Sequence, residues 1–187
     1  MNQLPMLSAV AIAADRVLLR KARAADHAGL IELQTDPEIW THLKAPRRRE
    51  DVEHHLAAIG GAANATTTPG HFVIADKATD TLLGTFEVKR RAPDWPGHVL
   101  DAGNELELGY LMRRETWGAG LAFEAATAAL RATAAELPDQ PVLIVTRTAN
   151  KRSLNLAARL GFEPFTTFDW FDADQTLCLA SLHSFKP

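Results

Sequence analysis

The chain has one cysteine, Cys178, in 187 residues. A lone thiol excludes an internal disulfide and a cysteine-rich zinc site, and it suits a reducing cytoplasm. No sign of charge dominates: 20 Lys and Arg against 23 Asp and Glu leave a net charge of −3, which argues against a nucleic-acid partner. Long hydrophobic runs are missing too. The apolar stretch Leu7 to Ala14 has no basic region before it, is broken by Asp15-Arg16, and is far too short to span a bilayer. The reading is a cytoplasmic protein without a membrane segment. His54 and His55 are neighbours that point apart on a helix, and no histidine pair has i, i+4 spacing, so no metal site is expected. There is no internal repeat and no low-complexity segment. With 47% hydrophobic residues, the length fits one domain over 1–187, with 1–15 as an N-terminal extension.

What is present reads as a mixed α/β order. Arg16 to Arg20 is a first strand. Asp26 is placed to cap a helix through Leu30, Ile31 and Leu33 that stops near Asp36-Pro37. A second helix runs from about Arg49 to Ile59, with Glu50, Asp51 and Glu53 in a first turn where the macrodipole favours acids. His71 to Asp76 and Leu82 to Arg90 are strands joined by a short turn. Arg91 to Asn104, with two prolines, two glycines and Trp95, is an extended loop of the kind that carries function. A strand from Glu105 to Met112, a helix from Gly118 to Leu137 and a buried-type strand from Val142 to Thr146 follow. Lys151 to Leu160 is a short helix ended by Gly161, and strands near Glu163 to Phe168 and Thr176 to Ser184 complete the order.

The segment Asn104 to Ala126 carries most of the functional signal. A strand feeds a turn with Gly118 and Gly120, and a long alanine-rich helix begins behind it. Such a turn aims backbone N–H groups at an anion, the glycines let the main chain come close, and the helix dipole favours negative charge. The ligand this points to bears phosphate. Two glycines alone favour an ordinary strand-to-helix turn.

Three features occur in one order: Glu107-Leu-Gly-Tyr-Leu111, then Glu115-Thr-Trp-Gly-Ala-Gly120, then Asn150-Lys-Arg-Ser153 with Arg159-Leu-Gly-Phe162. Together they resemble the GNAT superfamily of acyl-CoA-dependent N-acyltransferases. Leu19 to Asp26 and Asp36-Pro-Glu38 resemble its Rim-type branch, which includes the N-terminal acetyltransferases of ribosomal proteins. The resemblance spans about Val17 to Leu179. It implies a single-domain α/β fold with a mixed, mostly antiparallel sheet of about seven strands flanked by about four helices. It also implies acetyl-CoA as cofactor, held by Leu111, Met112, Arg113, Arg114, Trp117, Gly118, Ala119, Gly120, Leu121, Ala122, Asn150 and Ser153. Glu115 stands where the family has Gln or Arg, a departure. It is expected to turn from the pyrophosphate, with Arg113 or Arg114 adding charge.

Acetyl transfer to an amine needs a base for the ammonium proton and a group that stabilises the leaving thiolate. Glu105 and Glu107 alternate onto one strand face, where burial is expected to raise the pKa of at least one. By the resemblance Glu107 is the base, acting through a water, with Glu105 second. Two solvated acids on an exposed face is the plainer alternative. The family's acid tyrosine sits seven residues after the asparagine, where this chain has Ala157. Ser153 takes its place by the Rim-type pattern, or a water serves and Ser153 is simply the N-cap of its helix. Trp40 and Trp95 fall where the family borders its acceptor site, although core packing is the default for any single tryptophan. Cys178 reads as a small core residue. The resulting reading is an N-acetyltransferase acting on a primary amine, either a protein N-terminus or a small molecule, as a monomer or homodimer. A detoxifying or antibiotic-modifying acetyltransferase and a non-catalytic acyl-CoA-binding module are the rivals.

Overall fold

A computed structural model describes residues 4–187. Its strands are β1 (Ala11–Ala13), β2 (Val17–Arg20), β3 (His71–Asp76), β4 (Leu82–Arg90), β5 (Leu106–Met112), β6 (Pro141–Arg147), β7 (Glu163–Asp169) and β8 (Asp174–Ser181). Among the described residues they form one sheet in the order β1-β2-β3-β4-β5-β6-β8-β7. The helices are α1 (His27–Thr35), α2 (Arg49–Ala58), α3 (Leu121–Glu136) and α4 (Lys151–Leu160). This is the α/β, mostly antiparallel, single-domain architecture that the sequence implies.

The side-chain period of two divides the sheet into two cores. Phe72 and Ile74 of β3, Phe86 and Val88 of β4, and Leu106 and Leu108 of β5 face α3. There Ala125, Ala126, Ala129 and Ala134 are all buried, and their small side chains let the helix lie close on the strands. The other face carries Val73 and Ala75 against Leu30, Ile31 and Leu33 of α1 and Val52 and Leu56 of α2. Cys178 lies buried in β8, and burial pushes its thiol above the usual range.

One pair of strands sets up the site. β5 and β6 are parallel because α3 carries the chain back across the sheet. Their pairing holds only at Leu106–Val142 and Glu107–Leu143. Beyond those two rungs the strands part, while β6 keeps its full antiparallel ladder with β8.

Several expectations need correction. There are eight strands rather than seven, because Ala11–Ala13 pairs with β2 through Ala11–Arg20 and Ala13–Leu18. Leu7 is fully buried in the α3 core, so the N-terminal extension takes part in the fold from the first described residues onward. Residues 1–3 of that extension lie outside the described residues. Asp26 does precede α1, but its side chain caps no α1 amide: both oxygens bind the Arg20 guanidinium, at 2.8 and 3.0 Å, and Oδ2 accepts the Arg23 N–H of the preceding turn at 2.7 Å. Helix α3 starts at Leu121, not Gly118, because Gly118 and Gly120 adopt left-handed φ of 78° and 79°. Strand β8 ends at Ser181, and Leu182–Phe185 turns as a 3₁₀ segment that stacks Phe185 on Phe162 at 5.5 Å. Among the described residues no helix is long and apolar enough to cross a membrane.

Candidate active site

Where β5 and β6 separate, a cavity of about 1260 Å3 opens between them. Leu108 to Met112 line one wall and Ile144 to Thr146 the other. The turn before α3 closes one end with Trp117, Gly118 and Gly120, and the opposite side reaches His55 of α2 and His71 of β3.

The turn leaves backbone amides free at the head of α3. The first N–H groups of a helix have no intrahelical partner. Among the described residues, the N–H groups of Gly118 to Phe123 meet no other backbone carbonyl. A side chain at Gly118 would touch nothing within 4 Å, so glycine serves there for its backbone shape and open approach rather than for packing. Arg16 braces the turn, donating Nη1 to the Ala119 carbonyl at 3.0 Å and Nε to Glu124 at 2.8 Å. Unspent amides at the head of a helix, beside a slot between two strands, fit a pyrophosphate with an extended arm.

The charges around this end differ from expectation. Arg113 is tied to Glu32 at 2.8 Å and Glu115 at 2.9 Å, and Arg114 to Asp36 at 3.3 Å. Neither arginine lines the cavity, and Ala119 does not either; Glu115 turns to Arg113. The cations that line it on α4, beside the turn, are Lys151, Arg152 and Arg159, while Arg47 and Lys89 line it elsewhere. Arg152 lies 4.7 Å over the Trp117 ring and Arg159 4.6 Å over Phe123. The α4 sequence held that signal, since three cations share one short helix beside the glycine turn.

Deeper in, Asn150 is the N-cap of α4, accepting from the Ser153 N–H at 3.2 Å and donating to Thr146 Oγ1 at 3.1 Å. Ser153 is therefore not the cap. Its Oγ accepts a hydrogen bond from Tyr110 Oη at 3.0 Å, and both residues line the cavity. Burial pushes the Tyr110 phenol up, so it keeps its proton. Ala157, at the expected tyrosine position, is fully buried in the core.

The two strand carboxylates have separate surroundings. Glu107 lines the cavity, with Oε2 held by Arg91 Nη1 at 2.7 Å. Arg91 is fully buried, and the rings of Trp95, Phe168 and Trp170 surround its guanidinium at 5.6, 5.9 and 5.1 Å. Glu105 stays out of the cavity. It accepts from Val99 N at 2.7 Å and Leu100 N at 2.8 Å, and its other oxygen pairs with His98 Nδ1 at 2.7 Å. Burial pushes the Glu105 carboxyl up, but His98 and the backbone N–H groups outweigh it and hold it below the usual range. The raised value expected on this strand face is thus reversed at Glu105, which anchors the 91–104 loop instead.

The expected aromatic walls are absent. Trp40 turns back to donate Nε1 to the Leu33 carbonyl at 2.7 Å, and Trp95 packs on Trp170 at 5.1 Å; neither lines the cavity. The lining includes instead Ile39, His42, His55, His71, Glu87 and Lys89. Sequence reasoning missed Glu87 and His71, which only the register of β3, β4 and β5 brings to the cavity.

The comparisons with known proteins agree with this architecture. Residues 16–163 match the family model of the acetyltransferase (GNAT) domain. A GNAT-family acetyltransferase from Bacillus anthracis superposes with a TM-score of 0.73 at 18% identity, covering 92% of this chain and 98% of that one. Spermidine N-acetyltransferase from Vibrio cholerae, solved with CoA and spermine, gives 0.68 at 15% identity, over 91% of this chain and 98% of that one. RimL, a ribosomal L7/L12 α-N-protein acetyltransferase solved with coenzyme A, gives 0.69 at 16% identity, over 93% and 99%. At such identities the structures speak for the fold, whereas the family model spans most of the chain. The chain belongs to the GNAT acetyltransferase family, whose enzymes draw the acetyl group from acetyl-CoA.

Proposed function

We propose that this protein acetylates a primary amine by direct attack within a ternary complex, in the cytoplasm, as a monomer or homodimer. The observation that carries the reading is one continuous cavity from the unspent amides before α3 to Glu107 and His71. Donor and acceptor therefore share a single space. Cys178 is buried in β8 and outside that cavity, so no thiol is at hand for an acyl-enzyme.

Acetyl-CoA, when bound, supplies the activated acetyl group. The amides from Gly118 to Ala122 and the charges of Lys151 and Arg152 hold its phosphates. Leu111, Met112 and Trp117 flank the slot. The Ser153 hydroxyl, with its acceptor side taken by Tyr110, presents its hydrogen to the sulfur. Glu107, fixed by Arg91, sets negative charge at the acceptor end.

The acceptor is best read as a molecule with one ammonium, such as a peptide N-terminus. The deep carboxylates each have a cation beside them, Glu107 with Arg91 and Glu87 with Lys89. A polyamine needs unmatched acids for its several charges. Ser153 with Ala157 agrees with the Rim-type resemblance, and RimL is one of the structural neighbours.

Calorimetry with acetyl-CoA on the wild type and on Gly118→Asp tests the donor half. Binding in roughly the micromolar range, lost in the variant, is expected. Thiol release is then followed with a serine-initiated peptide amide and with spermidine. No acetyl-CoA binding by the wild type removes the reading. Binding without thiol release from either amine favours a non-catalytic acyl-CoA module.

A further inference from the structure

The geometry points to Glu87 as a catalytic residue: its carboxylate meets the acceptor ammonium and passes the proton to His71. This rests on the amine-acetylation reading above. His71, Glu87 and Gly109 are partners in register across β3, β4 and β5. Gly109 is two residues past Glu107, the last β5 residue paired with β6, so this row crosses the sheet where the strands have parted.

Gly109 is the unusual residue in that row. A glycine inside a strand weakens it and marks a close approach. Here a Cβ would stand 2.5 Å from Glu87 Oε1 and 2.9 Å from its Cγ. The missing side chain is what lets the Glu87 carboxylate lie across β5. Lys89 Nζ donates to Oε1 at 2.5 Å, while Oε2 stands 3.8 Å from His71 Nε2. That gap is too long for a hydrogen bond, so Oε2 keeps a lone pair for an incoming N–H. His71, Glu87 and Lys89 all line the cavity.

Glu107 lacks this route for a proton. Its Oε2 is held by an arginine enclosed in aromatic rings, whereas Glu87 has an imidazole behind it. Burial holds His71 below its ordinary range, with Lys89 and Lys21 acting in the same direction and Glu87 opposing. His55 of α2 lines the same cavity. The His71 ring is thus biased toward its uncharged form and readily gives a received proton on to solvent.

The step balances. One ammonium N–H bond breaks and its proton passes to Glu87 Oε2; the carboxyl then turns to close the 3.8 Å gap and hands it to His71, which releases it to solvent. The freed lone pair forms the C–N bond to the acetyl carbon as the C–S bond breaks. One of the two remaining N–H protons leaves and the sulfur gains one, giving amide, thiol and one proton released overall.

Two small acceptors separate proton removal from other roles: ethylamine, protonated at neutral pH, and methoxyamine, a free base there. With acetyl-CoA saturating, Glu87→Gln is expected to lose about 100-fold with ethylamine and less than about 3-fold with methoxyamine. Gly109→Ala, which pushes the flexible end of Glu87 aside, should show the same pattern and add little to Glu87→Gln. Acetyl-CoA affinity by calorimetry should stay within about 2-fold in both variants. Without any cofactor, the NMR titration midpoint of His71 should fall in Glu87→Gln. Equal losses on both amines, no loss on either, no acceleration of either by wild type that binds acetyl-CoA, or an unmoved His71 midpoint overturns the assignment. Wild type that fails to bind acetyl-CoA overturns the preceding reading instead.

Discussion

Tyr110, the one tyrosine in the chain, donates its hydroxyl proton to Ser153 Oγ across 3.0 Å. The bond links β5 to α4 over the slot and fixes which way the serine hydroxyl faces. With an acceptor lone pair of Oγ occupied, the serine proton points to the cavity. A tyrosine on a strand thus stands behind the serine, where the resembling family keeps one on the helix.

Removing that bond should slow the reaction more than it weakens the complex. A neutral hydrogen bond of about 1.4 kcal/mol corresponds to about tenfold in rate. Tyr110→Phe is expected to lower kcat about tenfold and leave the KM for acetyl-CoA within about 2-fold. Ser153→Ala should lose at least as much, and the double variant little more than Ser153→Ala alone. Initial rates of thiol release decide. A raised KM with kcat intact would make Tyr110 a packing residue only.

Glu105 gives the fold an acid-sensitive joint. Its carboxyl is depressed in the folded chain, so its contribution is whole above the unfolded value of about 4.3 and lost as pH falls through the lower folded value. Glu105→Gln should therefore destabilise most near pH 7 and progressively less below about pH 4. Urea midpoints of both proteins between about pH 7 and pH 3 give the comparison. A difference that stays constant into acid would mean that hydrogen bonding, not charge, carries the contribution.

Asp26 separates a cap from an ion pair by magnitude. Losing an N-cap costs about 1 kcal/mol, whereas breaking a buried ion pair costs about 3–5 kcal/mol. Arg20 and Asp26 are both buried, and Arg20 is held above its ordinary value chiefly by Asp26. Asp26→Ala should lower Tm by about 10 °C in a chain of this size. Asp26→Ser retains capping ability but not the pair, and it should fare no better. A serine variant with wild-type Tm would restore the capping role.

These cases show which links were legible in the sequence. His71 to Asp76, Leu82 to Arg90 and Lys151 to Leu160 carry their bounds in local pattern, through alternation, turn residues and Gly161 at φ 94°. β1 does not, because its three residues at the sheet edge are too few to show an alternation and take their strand form only from the hairpin with β2. Asp26 has the right residue type for a cap, and only Arg20 reaching across from β2 redirects it. Trp40 and Trp95 sit in the anticipated segments, but a carbonyl at Leu33 and the ring of Trp170 decide where they point. Glu87 was out of reach, since its place depends on two strand registers at once. Its trace in the sequence was Gly109, a glycine inside a strand, which the Glu107 to Leu111 run used only as part of a pattern.

Arg152 and Arg113 make opposite forecasts for the donor end. Arg152 lies over Trp117 and lines the cavity, while Arg113 is engaged by Glu32 and Glu115 outside it. Arg152→Ala is expected to weaken acetyl-CoA binding about 5- to 10-fold at low salt, through lost charge and ring contact. Because the site is open, much of that difference should fade toward 1 M salt, where screening acts within about 3 Å. Arg113→Ala should leave the affinity within about 2-fold, its charge already being spent on two carboxylates. Calorimetry at two salt concentrations measures both. If Arg113→Ala weakens binding and Arg152→Ala does not, the phosphates lie on the far side of the turn, and the cationic face of α4 has no part in holding them.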